Sequence, residues 1–222
     1  MIRFSQPSQR KATTAVSTRE EQKHRTRTTI LRIAAEEFDE RGYAAVSLND
    51  IAARLHVTKG TVYFHFPSKS ALALAVVDTY VARWSALQQE MTRLHLTGLS
   101  ALVWLSHQVA VGYRDDPGVR APLRLMRESA VIDGDLPTPF VPWIKTVAQH
   151  VVEAQQQGHV RDDVDANIIA WQVVASFFGA QELSHQLSSR GDLTDRVTTM
   201  WQLFLPGIMA PGVALPDLTP PL

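Results

Sequence analysis

The chain of 222 residues contains no cysteine and carries 22 basic and 22 acidic side chains. Without cysteine it forms neither a disulfide nor a thiolate nucleophile, which fits a cytoplasmic location. No apolar run approaches the roughly 20 residues that cross a bilayer, and the N-terminus lacks the apolar segment of a secretory signal. The charge is unevenly distributed, since residues 1–70 hold 12 Lys+Arg against 7 Asp+Glu and the rest hold 10 against 15. A basic front on an acidic body favours binding of one end to a polyanion.

The first 20 residues are rich in Ser, Thr, Gln and basic side chains and lack a hydrophobic period, which predicts a disordered basic arm. A helix is expected over residues 21–41, because Ile30, Ile33 and Phe38 recur on one helical face. Gly42 follows as the residue that ends this helix and lets the chain turn.

Two short helices joined by a tight corner are predicted within residues 47–69. Ile51 and Leu55 lie four residues apart on the apolar stripe of the first helix, and Ser47 is its N-cap. After a corner of three residues, the hydroxyl of Thr58 is expected to cap the second helix.

The second short helix carries a polar outer face. Lys59 and Tyr63 lie four residues apart, on a different face from Val62 and Phe66. Gly60 costs roughly 1 kcal/mol against alanine inside a helix, which indicates that a bulky group approaches the backbone. Such a helix end suits phosphates and base edges of a major groove. The candidate DNA-binding residues are Arg25, Arg27, Ser47, Thr58, Lys59, Gly60, Thr61, Tyr63, His65 and Lys69.

The run FDERGYAAVSLNDIAARLHVTKGTVYFHFPSKSALALAV resembles the DNA-binding domain of the tetracycline-repressor family, in its F-x-x-x-G-Y and its V-x-K-G-x-x-Y-x-H-F. The resemblance implies an all-α fold, with an N-terminal three-helix helix-turn-helix domain and a larger C-terminal helical domain for ligand binding and dimerisation. The expected divisions are a disordered arm over residues 1–20, the DNA-binding domain over 21–67, the second domain over 68–210 and an extended, loosely held Pro-rich tail over 211–222.

Six further helices are predicted, with a turn at residues 115–118 and a proline-rich loop before the fourth. Their expected ranges are 68–94, 99–113, 119–129, 140–157, 165–187 and 193–209. The last two are apolar on two faces, of which one covers the body and the other pairs with a second chain as a four-helix interface. A two-fold homodimer would place two reading helices roughly 34–36 Å apart, on a pseudo-palindromic operator in double-stranded DNA.

The segment RDDPGVRAPLRLMRESAVIDGDLPTPFVPWIKTV, with ASFFGAQELSH further on, resembles the γ-butyrolactone and furan receptors of actinomycetes, a branch of the same family. Trp143 in P-x-P-F-x-x-W matches a pocket tryptophan of that branch. The resemblance implies a repressor of secondary-metabolite (antibiotic) genes that a small lactone, butenolide or furan autoregulator releases from DNA. Aromatic and thioether groups suit an apolar cavity, although core packing is the alternative for each. The candidate ligand-binding residues are Tyr80, Trp84, Met126, Phe140, Trp143, Phe177 and Phe178.

Three other functions are weighed against this hypothesis. An enzyme is disfavoured because the histidines lack zinc spacing, because Glu182-x-x-His185 occurs once and because no nucleophile motif is present. No cofactor and no metal are therefore expected. An efflux or metabolite-sensing repressor of the same family would carry acidic groups in its pocket, and the candidate residues include none. A receptor homologue that no longer binds the signal stays open.

Overall fold

The computed structural model describes the backbone of residues 10–219 and the side chains of residues 19–219. Within that part of the chain the regular structure is helical, apart from one isolated bridge between Val160 and Met209. The predicted all-α fold, with an N-terminal helix-turn-helix unit and a larger helical body, is confirmed. The α-helices of the described residues are α1 Arg10–Ala45, α2 Leu48–Arg54, α3 Lys59–His65, α4 Lys69–Arg93, α5 Gly98–Asp115, α6 Pro117–Arg127, α7 Val141–Gln156, α8 Ala166–Ser188 and α9 Leu193–Ile208.

The first helix is longer than the sequence pattern predicts. It begins at Arg10 rather than near residue 21, so the part of the predicted disordered arm from residue 10 to residue 20 is helical. The rest of that arm, residues 1–9, lies outside the described residues. Neither proline nor glycine occurs between residues 10 and 41, and Ala, Arg and Glu are frequent there. A helix nucleated by the apolar stripe therefore extends towards the N-terminus without a residue that stops it.

Gly42 interrupts α1 as expected, with φ 78° and ψ 169°. A side chain would be strained at this positive φ. A Cβ atom at residue 42 would also lie 2.6 Å from Nη2 of Arg124, the end of a flexible side chain of α6 that would have to shift. Glycine is therefore favoured here by the backbone conformation.

Both predicted N-caps of the helix-turn-helix unit are confirmed. The Ser47 hydroxyl accepts a hydrogen bond from Asp50 N at the start of α2, and the Asp50 carboxylate accepts one from Ser47 N. The Thr58 hydroxyl accepts a hydrogen bond from Thr61 N at the start of α3. Between the two helices, His56 adopts a positive φ of 55° at the corner. These local contacts set the angle at which α3 leaves α2.

A buried carboxylate links α2 to α1 through hydrogen bonds. Glu37, 7% exposed, accepts hydrogen bonds from Nη1 of Arg54 at 2.5 Å and from Nη1 of Arg41 at 2.8 Å. The hydrogen bond from Arg54, followed by that from Arg41, lowers the pKa of Glu37 against the opposing effect of burial. The charged form of Glu37 therefore stabilises the packing of the helix-turn-helix unit.

Glu37→Gln is expected to lower the free energy of unfolding by about 1–3 kcal/mol at pH 7, because two guanidinium groups lose a charged partner. A carboxylate whose pKa is depressed by folding contributes stability above its unfolded pKa. The difference from the wild type should therefore shrink as the pH falls below the ordinary glutamate pKa of 4.5. Urea unfolding at pH 7 and pH 3.5 measures both effects. Glu40→Gln, at an exposed neighbouring site, is the control, and an equal effect of the two substitutions would contradict the assignment.

The helical body begins with α4, which leads out of the helix-turn-helix unit as predicted. Inside the body, α5 packs against α7 and α9, and α8 packs against α7 and α9. α6 packs along both α1 and α4, and it therefore contacts the helix-turn-helix unit as well as the body.

Two predicted irregular segments differ from the structure. The turn expected at residues 115–118 is reduced to Asp116, because its carboxylate caps α6 and Pro117 fits the first helical position. The tail, predicted to be loosely held, packs Leu218 against the core. Its Leu218 carbonyl also accepts a hydrogen bond from the Thr198 hydroxyl at 3.4 Å. An apolar side chain and a backbone acceptor together hold this part of the tail to α9.

Of the helices in residues 10–219, none combines the length and the apolar composition needed to span a bilayer.

Candidate functional site

The outer surface of α3 carries the polar side chains expected of it. Lys59 is exposed, and its Nζ lies 5.2 Å from the centroid of the Tyr63 ring, which is 42% exposed. The hydroxyls of Thr58 and Thr61 lie 3.0 Å apart and share a hydrogen bond. At Gly60, an added Cβ would meet only the Thr58 hydroxyl, at 3.8 Å. The protein itself does not require glycine at this position, which is consistent with close approach of an external group.

Basic side chains of α1 lie beside α3. Arg27 places its guanidinium carbon 4.5 Å from the centroid of the Phe66 ring, and Lys23 places Nζ 5.3 Å from that of Phe64. Arg25 is exposed on the same helix. Burial, followed by the nearby Lys23 and Arg27 charges, lowers the pKa of His65, which favours its neutral form. The structure thus brings α1 cations and the polar face of α3 onto one surface.

Ser47 and Lys69, also predicted to bind DNA, are engaged inside the protein. Ser47 donates its N–H and its hydroxyl to Oδ2 of Asp50, both at 2.8 Å. The Lys69 ammonium donates to the Tyr43 carbonyl at 2.7 Å and lies 4.0 Å from the centroid of the Tyr43 ring. Burial lowers the pKa of Lys69. In this conformation Lys69 donates to the end of α1 and not to an external phosphate. The break at Gly42 leaves carbonyl groups there without helical partners.

The body contains an apolar cavity of about 150 Å³ between α4, α6, α7 and the loop that precedes α7. Five of the seven candidate ligand-binding residues line it. The remaining lining residues were not predicted from the sequence. The lining residues are Tyr80, Val81, Trp84, Ser85, Leu123, Met126, Pro137, Thr138, Pro139, Phe140, Pro142 and Trp143. Pro137 and Pro139 belonged to the predicted proline-rich loop, but the sequence offered no sign that this loop folds over α4.

Phe177 and Phe178 form a second layer behind the cavity instead of lining it. Their ring centroids lie 4.9 and 5.2 Å from that of Trp143. Phe178 also contacts Phe140, with 4.4 Å between centroids. Both rings therefore pack behind Trp143, outside the wall of this cavity. Their predicted contact with a ligand stays a prediction.

The cavity wall is uncharged and contains three hydroxyl groups. They belong to Tyr80, Ser85 and Thr138, and the remaining lining side chains are apolar or aromatic. Burial raises the pKa of Tyr80 to about 12, so its phenol stays protonated and can donate a hydrogen bond. A cavity of this kind suits a neutral, mostly apolar molecule with one or two hydrogen-bond acceptors.

α6 has one face on the cavity and another on α1. Met126 is part of the cavity wall. On the other face, Nη2 of Arg120 lies 2.7 Å from Oδ2 of Asp39, and Arg124 donates to the Asp39 carbonyl at 2.6 Å. Glu128 accepts a hydrogen bond from Tyr43 N at 2.7 Å. α6 therefore joins the cavity wall to the end of α1, next to the helix-turn-helix unit.

An apolar groove runs between α8 and α9 on the surface of the body. Leu183, Leu187 and Leu203 line it and are exposed, and Met200 and Phe204 lie at its base. We call this surface the α8/α9 groove. Trp171 and Ile168 add exposed apolar area nearer the start of α8. Contiguous exposed apolar surface of this extent is typical of a protein interface.

No group of three or more His, Asp or Glu side chains able to hold a metal ion occurs among the described residues.

Two family models match the chain. The model of bacterial regulatory proteins of the tetR family matches residues 30–76, and the model of the tetracyclin repressor-like C-terminal domain matches residues 96–210. Among characterised relatives, the A-factor receptor protein of Streptomyces griseus is 36% identical over 184 residues. That match covers 83% of this chain and 64% of the relative, so the chain spans less than two thirds of the relative's length.

Solved structures resemble the whole two-part fold. A structure described as a molecular basis for the control of antibiotic production by bacterial hormones is 40% identical, with a TM-score of 0.74, and covers 84% of this chain and 98% of its own. A γ-butyrolactone receptor described as ArpA-like is 30% identical, with a TM-score of 0.74 and coverages of 86% and 91%. CprB of Streptomyces coelicolor in complex with its operator is 31% identical, with a TM-score of 0.73 and coverages of 86% and 91%. Both parts of the fold are thus accounted for, and the chain belongs to the tetR family of bacterial regulatory proteins.

Proposed function

We propose that the protein is a dimeric transcriptional repressor that binds a pseudo-palindromic operator and leaves it when a small γ-butyrolactone, butenolide or furan autoregulator binds. The observation that carries this proposal is an uncharged aromatic cavity whose wall at α6 also contacts α1, the first helix of the DNA-reading unit. Similarity to the A-factor receptor protein and to a structure described as a basis for the control of antibiotic production by bacterial hormones supports antibiotic genes as targets. Binding to chromosomal DNA implies that the protein works in the cytoplasm.

On the DNA side, we assign phosphate and base-edge contacts to the shared surface of α1 and α3. Lys59, Tyr63 and Thr61 belong to α3, and Arg25 and Arg27 belong to α1. Thr58, Gly60 and His65 complete the surface at the two ends of α3. Ser47 and Lys69 act through the positions of α2 and α4, because their polar atoms are held by Asp50 and Tyr43.

Lys59→Ala is expected to weaken operator binding and to lower the slope of log affinity against log salt by about 0.9, the value for one lost phosphate contact. Ligand affinity should stay unchanged, since Lys59 lies on α3 and the cavity wall lies in the body. Fluorescence anisotropy from 50 to 300 mM salt measures the slope. Lys145→Ala, which removes an exposed lysine of α7, is the matched control. An unchanged slope for Lys59→Ala would rule out the phosphate contact.

On the ligand side, the lack of charge in the cavity wall favours a neutral autoregulator. A lactone or furan offers carbonyl or ring oxygens to the hydroxyls of Tyr80, Ser85 and Thr138, and its alkyl chain fits the apolar wall. A cationic drug would bury its charge here without an acidic partner, which is costly. The cavity therefore supports the autoregulator over a cationic efflux substrate.

Ligand binding is coupled to DNA release through α4 and α6. Tyr80 and Trp84 lie on α4, which continues from the helix-turn-helix unit, and Met126 lies on α6. A ligand that lowers operator affinity a hundredfold must favour the non-binding state by roughly 2.7 kcal/mol. Differential contacts with these two helices are the source of that free energy.

Dimerisation is assigned to the α8/α9 groove, paired with its copy around a two-fold axis. The five large apolar side chains of that groove would form the centre of a four-helix interface. Two α3 helices would then enter successive major grooves, roughly 34–36 Å apart.

One experiment tests the proposal as a whole. The purified dimer is bound to an operator selected from a random pool of duplexes, and lactone, butenolide, furan and cationic dye panels are added in turn. Release by a neutral panel member, together with calorimetric binding of the same compound, is the expected result. Release by dyes alone would favour a drug-sensing repressor, and operator binding that no compound changes would favour a homologue without a signal.

A further inference from the structure

Phe64 is exposed in a position that a polar helix face does not predict. Its side chain is 71% exposed. It stands two residues after the buried Val62, and a step of two residues rotates a side chain by about 200° around the helix. Phe64 therefore points directly away from the core of the helix-turn-helix unit, on the same side of α3 as Gly60.

Two side chains lie beside the Phe64 ring. Nζ of Lys23 lies 5.3 Å from the ring centroid, and the His65 ring meets it edge to face, with 5.2 Å between centroids and an angle of 84°. One turn earlier, Gly60 leaves open space, since a Cβ there would have the Thr58 hydroxyl as its nearest neighbour at 3.8 Å. The outer part of the ring therefore stays accessible to a partner.

We propose that Phe64 reads thymine, by packing its ring against the 5-methyl group of one thymine in each operator half-site. This inference rests on the proposed function, since it requires that α3 enter the major groove. The thymine methyl is the apolar group that base edges present there, and phenylalanine is a side chain that contacts it. Phe64 is therefore a specificity-determining residue, whereas Lys59 supplies affinity for the backbone.

The test removes the methyl groups instead of the bases. Each thymine of the selected operator is replaced in turn by deoxyuridine, and the affinity of the full-length dimer is measured by fluorescence anisotropy. Burial of one methyl group corresponds to about a fourfold change in affinity. For the wild type we expect this loss at one symmetry-related thymine position, and about a fifteenfold loss when both half-sites are changed.

For Phe64→Ala, thymine and deoxyuridine at that position should bind equally well, and Phe64→Leu should restore part of the difference. Val57→Ala, which trims an apolar side chain 37% exposed in the corner before α3, should keep the full wild-type difference. A wild-type protein that tolerates every deoxyuridine, or a Phe64→Ala protein that keeps the difference, would overturn the inference. Failure of the proposed function is separate, because the wild type would then bind no selected duplex at all.

Discussion

Leu203→Glu is expected to make the protein monomeric and to lower its operator affinity by between about a hundredfold and ten-thousandfold. A dimer holds its second reading helix near the second half-site at a high effective concentration, and a monomer loses that advantage. Leu203 is 77% exposed in the α8/α9 groove of the single chain. The substitution therefore leaves the fold of one protomer intact and places two like charges at the proposed two-fold interface.

Sedimentation equilibrium at micromolar concentration measures the association, and anisotropy with one and with two half-sites measures its effect on DNA binding. Val131→Glu is the matched control, because Val131 is also apolar, is 64% exposed and lies outside the groove. Circular dichroism should show the same helical content for both variants. A Leu203→Glu protein that stays dimeric and binds the operator normally would move the interface to another surface.

The DNA-reading unit could be predicted from sequence because its features are local. The caps at Ser47 and Thr58 depend on contacts three residues along the chain, and the break at Gly42 depends on one backbone conformation. Spacing alone reveals such features. The same reasoning failed for Lys69, whose partner carbonyl at Tyr43 is 26 residues away. A local pattern records that a lysine is available, and tertiary packing decides which acceptor it reaches.

The types of residue around the cavity could be predicted from the sequence, but the layer that each residue occupies could not. Aromatic residues of α4 and α7 were expected to surround a ligand, and Trp84 and Trp143 do meet at the cavity, with 6.2 Å between ring centroids. Phe177 and Phe178 belong to the same aromatic cluster but lie behind its first layer. Helical periodicity places a side chain on a face, whereas the layer it occupies depends on how α8 packs against α7. The same limit hid Ser85 and Thr138, which carry no pattern of their own.

The exposed Phe64 is an exception to the rule that a solvent-facing helix surface is polar. A helix face that meets water is expected to be polar, and the sequence therefore predicts Lys59 and Tyr63 on the outer face of α3. The structure adds an exposed ring flanked by Lys23. Local sequence rules fail most often at sites that bind an external partner. The exposed Phe64 therefore supports the proposed contact with the operator.

Trp143→Ala is expected to leave operator binding within about twofold of the wild type and to raise the ligand concentration needed for release by between about thirtyfold and a hundredfold. The Trp143 ring forms part of the cavity wall. Loss of roughly 100 Å² of apolar contact with a ligand corresponds to about 2.5 kcal/mol, or about seventyfold in affinity. The helix-turn-helix unit makes no use of this side chain, whose ring contacts are with Trp84, Phe177 and Phe178.

Phe177→Leu separates loss of ligand contact from loss of packing. Both substitutions remove buried aromatic surface and should lower the thermal midpoint, since truncation of a buried aromatic side chain costs up to about 3–5 kcal/mol. Phe177 packs behind Trp143 and does not belong to the cavity wall. The Phe177→Leu protein should therefore be less stable, but it should leave the operator at close to the wild-type concentration of the active panel compound. If Trp143→Ala were released at that same concentration, Trp143 would be a packing residue, and the ligand would have to make its contacts with the α4 and α6 walls alone.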